Sequence, residues 1–118
     1  MPRGLYLVDR KKYHQIGDII VFKSNEFKAN LIKYIAARYG DQYCFDETNS
    51  LWVDEIPIAQ KNIQKYPQPI NEQSICHPLS PDELLVIGDH EKSYDSRYFG
   101  PIKKHDVIAS VKLMWPFN

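Results

Sequence analysis

The chain has 118 residues, enough for one domain with an ordinary buried core. Hydrophobic residues make up 43% and aromatics 13%, which excludes a disordered chain, and fifteen basic residues balance fifteen acidic ones, which removes the basic excess that nucleic-acid binding requires. The longest apolar runs, 19–22 and 84–87, are strand-sized rather than membrane-spanning, so the expectation is a soluble globular domain.

In chain order, residues 4–8 (Gly-Leu-Tyr-Leu-Val) are β-prone, and 9–15 form a polar connector. Gly17-Asp18 signals a turn, and the β-branched run 19–22 reads as a buried strand. The next stretch fits two patterns. Phe27, Leu31 and Ile35 recur at helical spacing, while Leu31, Lys33, Ile35 and Ala37 alternate as one face of a strand. Gly40-Asp41 marks a second turn, Tyr43-Cys44-Phe45 a strand, 46–50 a hairpin turn, and Leu51-Trp52-Val53 its partner strand. Five prolines (57, 67, 69, 78 and 81) fall between 56 and 81, so this part should be loop or edge structure. Residues 83–87 read as a strand, 88–97 as a polar loop and 106–114 as the last strand. The sum is a mainly β domain with at most one or two short helices.

Two cysteines, Cys44 and Cys76, stand in no zinc-ligand spacing. They are either two buried thiols or one disulfide, which would contribute about 3 to about 4.7 kcal/mol in the chain-entropy account. His14, His77, His90 and His105 are scattered without a metal-binding pattern, so no metal or cofactor is expected. Trp52 and Trp115 are expected to pack in the core or near its edge.

The chemistry-bearing segment is 88–102. Ser93, Asp95, Ser96 and Arg97 crowd together there, ahead of Tyr98-Phe99 and Gly100-Pro101. Asp95 and Arg97, two apart, would point the same way from an extended strand and pair, holding the loop rigid. The plainer alternative is a solvated loop whose surface ion pair contributes little.

The run Gly88-Asp89…Ser93-Tyr94-Asp95-Ser96-Arg97-Tyr98-Phe99-Gly100-Pro101 resembles the last signature motif of type I signal peptidases, in particular the TraF-type peptidases of conjugative transfer. Three further segments are similar, in the same order. Met1-Pro2-Arg3-Gly4-Leu5-Tyr6 resembles the segment after the family's nucleophile. Gly17-Asp18-Ile19-Ile20-Val21-Phe22 resembles its Gly-Asp strand. Lys33-Tyr34-Ile35-Ala36-Ala37-Arg38-Tyr39-Gly40-Asp41 resembles the segment of its catalytic lysine. Tyr39 stands where the family usually has proline, and His90 where ordinary relatives have asparagine.

The resemblance implies a signal-peptidase/LexA-like β-barrel-type catalytic domain over 1–118 and a serine–lysine dyad. Lys33 would be the general base, since an ammonium in apolar surroundings loses its proton more easily. Ser93 would orient it, and Asp95 and Arg97 would brace its loop. Met1, Pro2, Ile19, Val21 and Tyr34 would line the cleft for an extended precursor, held by β-augmentation. The family's serine precedes the Met-Pro pair. The nucleophile and a membrane anchor are therefore expected upstream of Met1, and this chain by itself is expected not to cleave; Ser24, Ser50, Ser74, Ser80, Ser96 and Ser110 match no nucleophile motif. The implied partners are a secreted or pilin precursor and, through the anchor, the inner membrane, at its periplasmic face; nucleic acid is not one. The TraF-type pattern also implies a Cys44–Cys76 disulfide. A non-catalytic module that holds pilin or a pilus-assembly partner is the competing reading.

Overall fold

The computed structural model describes residues 4–9, 14–61, 75–90 and 93–116, the side chains of 4–9 and 112–116 excepted. Three consecutive side chains, Leu84, Leu85 and Val86, are completely buried and organise these residues. They lie on β8 (Glu83–Ile87), whose two faces look into different cores. Leu84 and Val86 join Ile20, Phe22, Ile35 and Ile102, while Leu85 joins Ala37, Leu51, Val53 and Leu79. Burying each such side chain stabilises the fold by about 1.5–3 kcal/mol.

The first core lies against a six-stranded antiparallel sheet, ordered β1-β10-β2-β3-β8-β9. Its other strands are β1 (Gly4–Asp9), β2 (Ile19–Ser24), β3 (Ala29–Arg38), β9 (Ile102–Lys103) and β10 (Val107–Pro116). A four-stranded antiparallel sheet covers the second core, in the order β6-β5-β4-β7. It consists of β4 (Gln42–Phe45), β5 (Ser50–Val53), β6 (Ile56–Gln60) and β7 (Ile75–Pro78). The proline-bearing β6 and β7 are its two edges, where a missing N–H leaves no ladder bond unmade.

The mainly β expectation holds. Among the described residues the only helical turns are α1 (Ser96–Phe99) and a 3-10 turn, Lys104–Asp106. No helix there is long and apolar enough to cross a membrane. Of the two patterns open for 27–37, the strand forms. Residues 25–28 turn the chain, and β2 and β3 pair from Ile19–Tyr34 to Ser24–Ala29. The alternation then breaks. A bulge between Ile35 and Ala37 turns Ala37 away from Ile35 and into the second core.

Cys44 and Cys76 face each other across β4 and β7 and are joined in a disulfide, with their Cα atoms 4.0 Å apart. The β4–β5 turn is built on Asp46. Its carboxylate accepts from Thr48 N (2.8 Å), Thr48 Oγ1 (2.7 Å), Ser50 N (3.0 Å) and Trp52 Nε1 (2.9 Å). Trp52 is half-buried at this hairpin, and the side chain of Trp115 lies outside the described residues.

Candidate active site

Lys33 sits in the middle of β3, directly opposite Ile20 of β2. Strand alternation puts Leu31 and Ile35 on either side of it on the same face. Ile20 and Ile35 are buried and Leu31 is half-buried. The lysine stem therefore lies on apolar ground, and its amine is held below the ordinary lysine value. Burial is the main cause; Asp95 opposes it, Arg97 adds to it, and Asp89 opposes it weakly.

Beyond the end of β8 the chain reaches Gly88 and turns into the loop that carries Ser93. A Cβ on Gly88 would fall 2.6 Å from Ser93 Cβ and 3.1 Å from Lys33 Nζ. The bare α-carbon is thus the surface against which both side chains rest. Any other residue would push them apart.

Asp95, Ser96 and Arg97 are 0%, 1% and 3% exposed, which rules out the solvated-loop alternative. Their pairing is not the extended one expected from their spacing. Asp95 is the N-cap of α1, with its Oδ1 accepting from Arg97 N at 3.0 Å and from Arg97 Nε at 2.8 Å. Asp95 Oδ2 accepts from Arg97 Nη2 at 2.7 Å and from Gly88 N at 2.8 Å. Capping curls the backbone so that one carboxylate reaches the next turn's amide and its guanidinium together, which a strand cannot do. Arg97 spends its remaining donors on the carbonyls of Gln60 (3.0 Å), His90 (3.1 Å) and Ser93 (3.2 Å). Ser96 Oγ accepts from Val86 N at 2.9 Å, so the loop is fastened at two amides, that of Val86 in β8 and that of Gly88 just past its end.

The structure thus gathers Lys33, Ser93, Asp95 and Arg97 around Gly88. It does not add Ile19, Val21 and Tyr34 to them. The register pairs Ile19 with Tyr34 and Val21 with Ile32, on the sheet face opposite Lys33. Ile32 there is 45% exposed. Met1 and Pro2 lie outside the described residues. Sequence reasoning gave no separate part to Gly88, Ser96 or Tyr94. A glycine following an apolar strand and opening a polar loop is a signal for close approach that could have marked Gly88. Nothing in the spacing signals the buried bond from Val86 to Ser96. Among the described residues no group of His, Cys, Asp or Glu is arranged to hold a metal ion.

A β domain of two antiparallel sheets, with a desolvated lysine facing a serine-bearing, salt-bridged loop, defines a class, and the sequence comparison agrees with it. The chain belongs to the signal peptidase family, peptidase S26, whose profile matches residues 1–116. The family is one of serine peptidases, hydrolases that act on precursor peptides. In its fold the chain is similar to a crystal structure of a signal peptidase I from Enterococcus faecalis V583. The TM-score is 0.55 at 20% identity, over 86% of this chain and 97% of the other. No curated protein matches the chain.

Proposed function

We propose that this chain is the catalytic β domain of a signal-peptidase-like serine endopeptidase working through a serine–lysine dyad. The observation that carries the reading is the amine of Lys33, desolvated on an apolar strand face and set beside Ser93 across the bare α-carbon of Gly88. A lysine with an ordinary pKa of about 10.4 is a poor base at neutral pH; one depressed by burial can take a proton from a hydroxyl. In the family pattern that hydroxyl belongs to the serine just ahead of the Met-Pro pair, so the nucleophile is assigned to the residue preceding Met1 in the native protein.

In this mechanism neutral Nζ removes the serine proton as Oγ bonds to the scissile carbonyl carbon. The tetrahedral adduct collapses, the C–N bond breaks, and the departing amine takes its proton from the lysine ammonium. Lys33, neutral again, removes a proton from water as it attacks the acyl ester; the C–Oγ bond breaks and the ammonium gives that proton to the serine oxygen, restoring hydroxyl and neutral amine. Ser93 orients the amine. Asp95 and Arg97 hold the Ser93 loop, and an extended substrate would be held along a sheet edge by β-augmentation. The substrate class is a secreted precursor, a pilin subunit of a conjugation apparatus being the candidate that the TraF-type motifs favour. The native protein would then act at the periplasmic face of the inner membrane.

The test is cleavage of a precursor peptide by the chain extended with its native upstream residues, against the same protein with that serine or Lys33 changed to Ala. Turnover that needs both residues is expected. Lys33-dependent turnover by the 118-residue chain itself would place the nucleophile elsewhere. Peptide binding without turnover by the extended chain would make it a holding module instead.

A further inference from the structure

We infer that Tyr94, gripped by Glu26 and Phe27 at the tip of the β2–β3 hairpin, is a positioning residue that holds Ser93 against Lys33. The inference rests on the reading of Lys33 as the base and adds a part of the molecule that the reading did not use.

Tyr94 follows Ser93 directly and precedes the buried Asp95. Its ring stacks on Tyr98 of α1, with centroids 5.1 Å apart and planes 4° from parallel. Phe27 meets the same ring edge-on at 5.3 Å and 83°, and Phe99 packs on it at 5.6 Å. The Tyr94 hydroxyl donates to Glu26 Oε1 at 3.0 Å. Phe27 is 48% exposed, so its ring is not there to fill the core. What it contacts is Tyr94, 67 residues further along the chain by position in the sequence.

The geometry closes a ring of contacts. The turn carrying Glu26 and Phe27 is itself fixed, because Phe27 N donates to Ser24 Oγ at 3.3 Å. From that turn β3 runs directly to Lys33. From Tyr94 the chain steps back to Ser93, which meets Lys33 at Gly88. The hairpin that bears the amine therefore also grips the loop that must stay beside it. The other fasteners of this loop, Asp95 on Gly88 N and Ser96 on Val86 N, lie beyond Tyr94. Upstream, Ser93 is held through its backbone, its carbonyl by Arg97 and its N–H by the His90 carbonyl. Tyr94 lies between these two sets of anchors, and its ring is the part of the loop held from the β2–β3 hairpin. With the grip released, the segment between these anchors loosens, Ser93 packs less closely on Lys33, and water gains access to the amine.

The groups that face Lys33 are Ile20 of β2, Leu31 and Ile35 of β3, Gly88 and Asp89 after β8, and Ser93, Asp95 and Arg97 of the loop. None is altered by a change at Phe27 or Tyr94, so a shift at Lys33 would report movement of the loop.

The experiment is competitive acetylation of the lysines of the 118-residue chain across the alkaline range, read by peptide mass, for the unaltered chain and for Tyr94→Ala, Phe27→Ala and Tyr94→Phe. The expected result is a depressed Lys33 titration in the unaltered chain. It should move up by about one pH unit, a tenfold loss of neutral amine below the pKa, in both alanine variants, with Tyr94→Phe keeping most of the depression. The other lysines serve as internal references and should not move. Should Tyr94→Ala fail to fold, the exposed Phe27→Ala carries the test. A depressed Lys33 that stays in place in the folded alanine variants overturns the grip and leaves the proposed function standing. A Lys33 that titrates as an ordinary lysine in the unaltered chain overturns both.

Discussion

Removing the Asp95 carboxylate should unfold much of what the loop holds. Asp95→Ala deletes four hydrogen bonds at once, three of them from Arg97 and one from Gly88 N. The guanidinium, 3% exposed, loses the buried carboxylate that it pairs with at 2.7 Å. Breaking one side of a buried pair costs about 3–5 kcal/mol, because the remaining charge stays desolvated. Against a total stability of about 5–15 kcal/mol for a domain, that is a fifth or more of the margin. The assay is urea unfolding followed by the fluorescence of Trp52 and Trp115, with the midpoint falling by about 1–5 M at a slope of about 1–3 kcal/mol/M. The double replacement Asp95→Leu with Arg97→Met should recover most of the loss, since it removes both charges and keeps the volume. A loss under about 1 kcal/mol for Asp95→Ala would refute the reasoning, because that is the worth of a solvated pair. So would a double variant as unstable as the sum of the two single ones.

Gly88→Ala should leave the fold in place, at a cost of about 1–3 kcal/mol for overpacking, and should lose the Lys33-dependent turnover of the extended protein, because the new Cβ occupies the approach of Ser93 to Lys33; full activity in that variant would remove Gly88 from the site. Lys33→Met should stabilise the chain at neutral pH by on the order of 1 kcal/mol in thermal or urea unfolding. The sign follows from the proton count: where Lys33 titrates below its unfolded value of 10.5, the unfolded chain binds more protons, so the penalty stands at neutral pH and fades as pH rises through the folded pKa toward 10.5. Asp46, held at about 2 by the Thr48 hydroxyl, the Trp52 N–H and the Ser50 amide, supplies stability that is complete above its ordinary value of 3.8 and is lost as pH falls through about 2. Asp46→Asn should remove that acid dependence, read as a flatter plot of urea midpoint against pH below 4 than in the unaltered chain. Reduction of the Cys44–Cys76 bond, which closes a separation of 32 residues, should lower stability by about 3–4 kcal/mol, measured by urea unfolding with and without reductant.

Much of the strand inventory was legible because its causes are local. The runs 19–22 and 83–87 are β-branched and apolar, and they became β2 and β8. Prolines 57 and 78 fell on edge strands because a residue without an N–H is tolerated only where no neighbour needs the bond. The site was legible only as motifs. Lys33, Ser93, Asp95 and Arg97 could be picked out by resemblance, but their spacing suggested an extended Asp95–Arg97 pair, and the backbone instead turns into a capped helical turn. The hairpin over 23–30 could not be separated from a helix by period alone, because Phe27, Leu31 and Ile35 satisfy both patterns over so short a span.

By itself, then, the order of side chains determined where strands start and stop and which residue types are present for acid–base work, since backbone preference and hydropathy act over a few neighbours. Only the assembled sheets decided that the Lys33 amine is short of water, that Gly88 separates it from Ser93, and that Phe27 reaches Tyr94. Each of these is a contact or a burial between segments far apart in the chain, and solvation and Coulomb forces depend on distance through space, which no local pattern encodes.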